Sequence, residues 1–275
     1  MKLIIAATDF SPVSLNAVQY AADMATCTNS DITLLHVCEM PLPLSEVPVS
    51  AIDMDSLAER AGEMLNNIKA TLEKSHSTLV VRTEIRIGAS VLNEIRDYCT
   101  VTSPFAIVIG ANTGSGIDRL LLGNTAALLA QELEWPLLVV PANLKFTPIR
   151  NVGLASDFED ITDTTPTHEL KNLIGEFRAK LHVLHVTKGS GHYDYTAEQA
   201  AFTELSGLLK DLHPSYHIVN NGNLDEEISV FAVRNKLDLL IVVPKKHTLV
   251  GKLLHRSHTK QVLLHTHFPV MALHA

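Results

Sequence analysis

The sequence has little of several things, and each shortage excludes something. It holds one Trp and three Cys in 275 residues, and aromatics make up 5%. The cysteines Cys27, Cys38 and Cys99 are odd in number, all lie in the first half, and form no C-x-x-C pair. That excludes a disulfide framework and points to free, packed thiols in a reducing cytoplasm. No Lys/Arg run occurs, and 22 basic against 30 acidic residues give a formal charge of -8, which argues against a nucleic-acid partner. No apolar run approaches the ~20 residues of a membrane-spanning helix, so no membrane partner is expected either. Leu3–Ala7 is too short for the apolar part of a signal peptide and reads as a first buried strand. The sequence also lacks G-x-S-x-G, a P-loop lysine, H-E-x-x-H and any telling carboxylate pair. These absences point away from common hydrolytic chemistry.

What the chain does have is a repeat. Thr8-Asp9-Phe10 returns as Ser156-Asp157-Phe158, 148 residues later. Leu34-Leu35-His36-Val37 returns as Val183-Leu184-His185-Val186, 149 later. Gly88 matches Gly222, and Gly110 in IVIG matches Pro244 in IVVP, both 134 later, while Pro136 matches Pro269 at 133. Five landmarks in the same order mark two homologous domains, 1–145 and 146–275. The first carries about 15 extra residues, placed in the proline-rich Glu39–Ser50, which reads as a surface loop or lid over Met40–Val49.

Within the first repeat, apolar runs alternate with helix-period segments. Strands are predicted at Leu3–Ala7, Ile32–Val37, Leu79–Ile87, Phe105–Ile109 and Leu137–Val140. Helices are predicted at Ser14–Thr26, Asp55–Lys74 and Ser90–Tyr98, with a fourth following Gly123. Ser11-Pro12 is a good N-cap followed by a proline at the first helical position. On the second helix, Leu57, Ala61, Met64, Leu65, Ile68 and Leu72 form one apolar stripe. The fold class is therefore α/β. Two tandem doubly wound domains are expected, each a five-stranded parallel sheet with helices on both faces.

In such a sheet a ligand binds outside the carboxyl ends of the strands, at the switch point. Asp9, Val37 and Gly110 fall on that rim. Gly110 is also followed by glycines at 114, 116 and 123 and by a helix, and a glycine loop leading into a helix N-terminus favours phosphate.

Thr8-Asp9-Phe10-Ser11, Leu34-Leu35-His36-Val37 and the run from Gly110 to Pro141 together resemble the universal stress protein family in a tandem form. The resemblance covers almost the whole chain and implies the adenine nucleotide alpha hydrolase-like fold. Nucleotide-binding members carry Gly, two residues, Gly, nine residues, Gly, then Ser or Thr. Here Gly110 and Gly123 keep the outer spacing. Thr113 takes the place of the second Gly, with Gly114 one residue late, and Asn124 takes the Ser/Thr place, with Thr125 beside it. The resemblance implies that Ala7, Thr8 and Asp9 meet the adenine or ribose, that Val37 and Ile109 flank the base, and that the 110–125 segment holds phosphates. ATP, with Mg, or another adenine nucleotide is the cofactor it implies. The second repeat keeps Asp157 but has Pro244 for the first Gly and Arg256 for the third. The expected role is a cytoplasmic stress-response regulator that binds nucleotide weakly and once, with at most very slow ATP hydrolysis.

Two other readings stand beside that one. Both pockets could be vestigial in a pure interaction scaffold. Alternatively, the C-terminal histidines could bind a metal or anion, with His255 and His258 as candidate ligands. His36 and His185 occupy equivalent places, where a structural hydrogen bond at a strand end is the default. Pairing of the two domains within the chain is expected from the resemblance. Dimerisation of two chains through their last strands stays open.

Overall fold

A computed structural model describes residues 2–40, 54–111, 119–156, 158, 161–187, 195–220, 224–244 and 268–274. The proline-rich segment expected to form a lid lies, from residue 41 onward, outside the described residues, as do Thr113, Gly114, Asp157, His255 and His258.

The chain divides into two compact units, Met1–Ala111 with Leu137–Phe146, and Asn112–Pro136 with Thr147–Ala275. In the first, β1 (Leu3–Ala7), β2 (Asp31–Glu39), β3 (Val81–Gly88), β4 (Ala106–Ala111) and β5 (Leu137–Pro141) alternate with α1 (Pro12–Cys27), α2 (Met54–Ser75) and α3 (Val91–Thr102). All neighbouring strands are parallel, in the order β3-β2-β1-β4-β5. The chain steps outward from β1 through β2 to β3, then returns to the other side of β1 for β4. The switch point therefore lies between β1 and β4.

The strand sequences fit this placement. Four consecutive residues of β4, Ala106 to Ile109, are buried, as are Ile4, Ile5 and Ala6 of β1. An uninterrupted apolar run is what a strand covered on both faces requires. Ser11 caps α1 by accepting from the backbone N–H of Ser14 at 3.2 Å, and Pro12 follows at the first helical position, as expected. Ser90 likewise caps α3, and Ser103 ends it in the left-handed conformation. The stripe on α2 is narrower than its sequence suggests. Ala61, Leu65 and Leu72 are buried, while Leu57 and Met64 are 43% and 45% exposed. Met64 lies about 100° from Leu65 around the helix, on the flank of the buried face.

The helix after β4, α4 (Arg119–Glu132), falls within the second unit. It begins four residues before Gly123, so Gly123 and Asn124 sit inside it and Asn124 is not its N-cap. This corrects the expected helix start. Propensity explains the difference: Arg119-Leu120-Leu121-Leu122 are all good helix formers, and one glycine costs only about 1 kcal/mol.

The second unit repeats the first. Its strands are β6 (Asn151–Ser156), β7 (Lys180–Thr187), β8 (Ser215–Asn220), β9 (Leu239–Val242) and β10 (Val270–Ala272). They are parallel in the order β8-β7-β6-β9-β10, the counterpart of the first sheet. Its other helices are α5 (Ile161–Thr164), α6 (Thr167–Phe177), α7 (Tyr195–Leu209) and α8 (Leu224–Arg234). Within this unit His274 contacts the Ala130 carbonyl of α4 through Nε2 at 2.9 Å. Among the described residues no helix is long and apolar enough to cross a membrane.

Candidate functional site

The rim at the carboxyl ends of β1, β2 and β4 carries six of the expected site residues: Ala7, Thr8, Asp9, Val37, Ile109 and Gly110. Thr8 and Ile109 are buried, Ala7, Val37 and Gly110 are half-buried, and Asp9 is exposed. The side-chain group standing open at the switch point is thus the Asp9 carboxylate. The other expected residues are placed differently. Gly123, Asn124 and Thr125 lie on α4 in the second unit, Thr125 being exposed.

The turn that presents Asp9 is held by short polar links. Thr8 N donates to the Leu35 carbonyl at 2.9 Å, which extends the β1–β2 pairing by one residue. Thr8 Oγ1 accepts from Phe10 N at 3.0 Å and lies 2.9 Å from Ser14 Oγ. Asp9 Oδ1 accepts from Ser11 N at 3.0 Å, the Asx turn that leads into the α1 cap. Some loss of hydration works against ionisation of Asp9, but the Ser11 and Ser14 hydroxyls and the Ser11 N–H outweigh it. The carboxyl is held below its ordinary value.

Phe10 has φ 65, the left-handed region that a bulky residue rarely occupies. Its ring lies 4.4 Å from the imidazole of His36, tilted by 35°. His36 Nδ1 is 2.8 Å from the Thr8 carbonyl oxygen. The carbonyl can only accept, so Nδ1 is the donor. The second unit repeats all three features. Phe158 has φ 58, stacks on His185 at 3.9 Å, and His185 Nδ1 donates to the Ser156 carbonyl at 3.0 Å. The strand-end hydrogen bonds of His36 and His185 are therefore present as expected. The aromatic partners had no signal beyond the repeated Asp-Phe pair.

Gly110 has a packing reason to be glycine. A Cβ there would sit 2.5 Å from the Val13 carbonyl oxygen and 2.8 Å from the Val13 carbonyl carbon. The first turn of α1 approaches the end of β4 too closely for any side chain, which brings α1 to the switch point.

Two further constellations were not visible in the sequence. Ser75 Oγ lies 3.0 Å from His76 Nδ1, and His76 Nε2 lies 2.8 Å from Asp23 Oδ1. The order of groups is that of a nucleophile relay, but the Ser75 hydroxyl donates to the Thr71 and Leu72 carbonyls of its own helix. That arrangement closes the end of α2 and leaves no activated nucleophile. The second constellation, His182 and His217, is taken up below. Cys38 and Cys99 are buried as expected of packed thiols, but Cys27 is exposed at the last position of α1. Among the described residues no group of three or more His, Cys, Asp or Glu could hold a metal ion.

Comparison with known proteins agrees with this picture. The sequence profile of the universal stress protein family matches residues 1–141 and again 148–274. A universal stress protein of Methanocaldococcus jannaschii is 28% identical over 142 residues, covering 50% of this chain and 81% of its own. Among solved structures, a universal stress protein from Archaeoglobus fulgidus superposes with a TM-score of 0.73 at 19% identity, over 99% of this chain and 98% of its own. Another, from Pseudomonas aeruginosa, reaches 0.59 at 16% identity over 99% and 93%. At those identities the structures speak for the fold alone.

Proposed function

This chain belongs to the universal stress protein family, and on that premise we propose that it is a regulator whose first unit takes an adenine nucleotide at the rim of β1, β2 and β4, with modest affinity and without efficient turnover. The observation that carries the reading is Asp9: an exposed, ionised carboxylate held at the switch point between β1 and β4. A carboxylate there can accept from the hydroxyls of a ribose. Half-buried Val37 and Gly110 beside it offer backbone groups and an apolar edge to a base.

The fit is better for the nucleoside end than for the phosphates. One Asp9 oxygen accepts from Ser11 N, and the carboxylate is still exposed to a ligand. Gly110 is accounted for by Val13, so its glycine is not by itself a sign of phosphate. When bound, ATP with Mg would act here as a state signal read through the turn at Asp9 and the end of β4. The stress-response role and the cytoplasmic setting rest on the same proposal. A second reading, an interaction scaffold that binds no nucleotide, is favoured by the same two facts: Asp9 serves its turn and Gly110 serves helix packing.

Calorimetry with ATP on the intact chain and on Asp9→Asn separates the two. The asparagine keeps an acceptor for Ser11 N and removes the charge, so the turn survives while ribose recognition weakens. Saturable heat that falls about tenfold or more in affinity in Asp9→Asn supports the nucleotide reading. No heat and no thermal shift at millimolar ATP would establish the scaffold instead.

A further inference from the structure

His182 on β7 and His217 on β8 project from the same face of the second sheet, since residues two apart on a strand share a face and Leu184 pairs with His217. His182 Nδ1 lies 3.5 Å from His217 Nε2, with ring centroids 5.7 Å apart. The His217 ring meets Phe231 of α8 edge to face at 5.0 Å. Gly153 of β6 pairs with His182, and the space above that glycine is filled by Leu237, Leu240 and Phe231. Two half-buried imidazoles thus lie beside an apolar cluster under α8. His182 Nε2 is buried with no hydrogen-bond partner.

The charged groups around the pair do not favour a proton on it. Lys180 of β7 acts on His182 and Arg234 of α8 acts on His217, both repulsively towards an imidazolium. Glu227 is the carboxylate of α8 with a described side chain, one turn before Phe231, and it makes no hydrogen bond or ion pair with either ring. On the same face β6 offers Gly153 and β8 offers Ser215, neither of them charged. Neutral rings satisfy the contact with one N–H facing one lone pair. A second proton on His182 would bury an N–H without an acceptor, and a proton on each ring would place like charges at contact distance.

From this geometry we propose that the His182–His217 pair is an acid-sensitive latch that holds β7, β8 and α8 together while both rings are neutral and loosens them when a proton is taken up. Burial first, then the neighbouring charges, push both histidines below the ordinary imidazole value. The unfolded chain therefore binds these protons more readily than the folded one. The contribution is complete above the unfolded value of 6.5 and is lost as pH falls from there towards the folded values. Each ring changes the folded-to-open ratio by up to about tenfold per pH unit inside that window.

Hydrogen exchange of the full chain at pH 7.5 and 5.5 tests the latch, with peptides from β1 and β2 as an internal reference. Protection of β7 and β8 relative to that reference should fall about tenfold or more at the lower pH. It should stay level in the double variant His182→Leu, His217→Leu. Equal pH dependence in the wild type and the double variant would overturn the proposal. Should the double variant fail to fold, proton NMR titration of the wild type decides. The two imidazole resonances, identified by their loss in His182→Gln and His217→Gln, should titrate below 6.5 and shift together. Either ring titrating at or above 6.5 would overturn the latch.

Discussion

The imidazole of His36 donates from Nδ1 to the carbonyl oxygen of Thr8 across 2.8 Å, tying the end of β2 to the turn that carries Asp9. Phe10 closes over that ring in a left-handed conformation, which costs about 1–2 kcal/mol in an L-residue. The repeat keeps the arrangement in the second unit with Phe158 and His185, although the glycines around Gly110 are not kept there. A feature retained where the glycine loop has changed is holding the turn. His36→Ala should therefore destabilise the first unit by about 1–3 kcal/mol, the cost of a lost, half-buried hydrogen bond and stack. His185→Ala should cost more, because His185 is 5% exposed and its stack is tighter. Urea unfolding of both variants at pH 7.5 checks the order, and an unchanged midpoint in His36→Ala would contradict it.

Phe10→Gly offers a sharper test of the same turn. Glycine removes the left-handed strain and also removes the ring. If the stack on His36 outweighs the strain, the variant is less stable than the wild type by about 1 kcal/mol. A more stable Phe10→Gly would mean that the strain is borne for some purpose other than the turn.

Asp9 gives a pH dependence of the opposite sign to the histidine pair. Its folded value lies below the ordinary 3.8, so its contribution is present above that value and is lost as pH falls through the folded value. The side chain is exposed, so solvent limits the effect to a few tenths of a kcal/mol. Carboxylate chemical shifts should place Asp9 below 3.8 in the wild type. The shift should return towards 3.8 in Ser11→Ala and in Ser14→Ala, because each loses a donor to Asp9.

The three thiols should separate by reactivity. Burial raises the Cys38 thiol and pushes Cys99 up to about 12, whereas Cys27 is exposed. Thiolate is the reacting form, so a disulfide reagent at pH 8 should modify one equivalent rapidly and two only on unfolding. Mass mapping should place the rapid label on Cys27. Fast labelling of Cys99 would mean that the inner face of α3 opens in the native protein.

Much of this architecture was legible because two periods repeat in order. Leu3–Ala7 is β1 to the residue, and Asp9, Val37 and Gly110 lie at the carboxyl ends of β1, β2 and β4. Three things were not legible, each for a physical reason. A repeat fixes the order of elements and not the unit into which a segment packs, so the placement of α4 had no signal. Helix starts depend on capping contacts, and the run at Arg119–Leu122 carries helical propensity through a glycine that reads as a boundary. The histidine pair is 35 residues apart in sequence and becomes a pair only once β7 and β8 are registered.

Gly110 is where the two uses of a glycine can be told apart. A phosphate-binding glycine is needed for the ligand, and its loss costs affinity. A packing glycine is needed by the fold, and its loss costs stability whether or not a ligand is present. The Cβ of an alanine at 110 would meet the Val13 carbonyl, which is backbone at the capped start of α1 and cannot swing aside. At Gly153 the obstacle at the same 2.5 Å is Leu237 Cδ1, the far end of a flexible side chain. Gly110→Ala should therefore destabilise the nucleotide-free chain by about 1–3 kcal/mol, the usual range for overpacking, and Gly153→Ala by distinctly less. Urea unfolding without nucleotide measures both. If Gly110→Ala proves neutral in stability while ATP affinity falls, the glycine belongs to the ligand site and α1 has room to retreat.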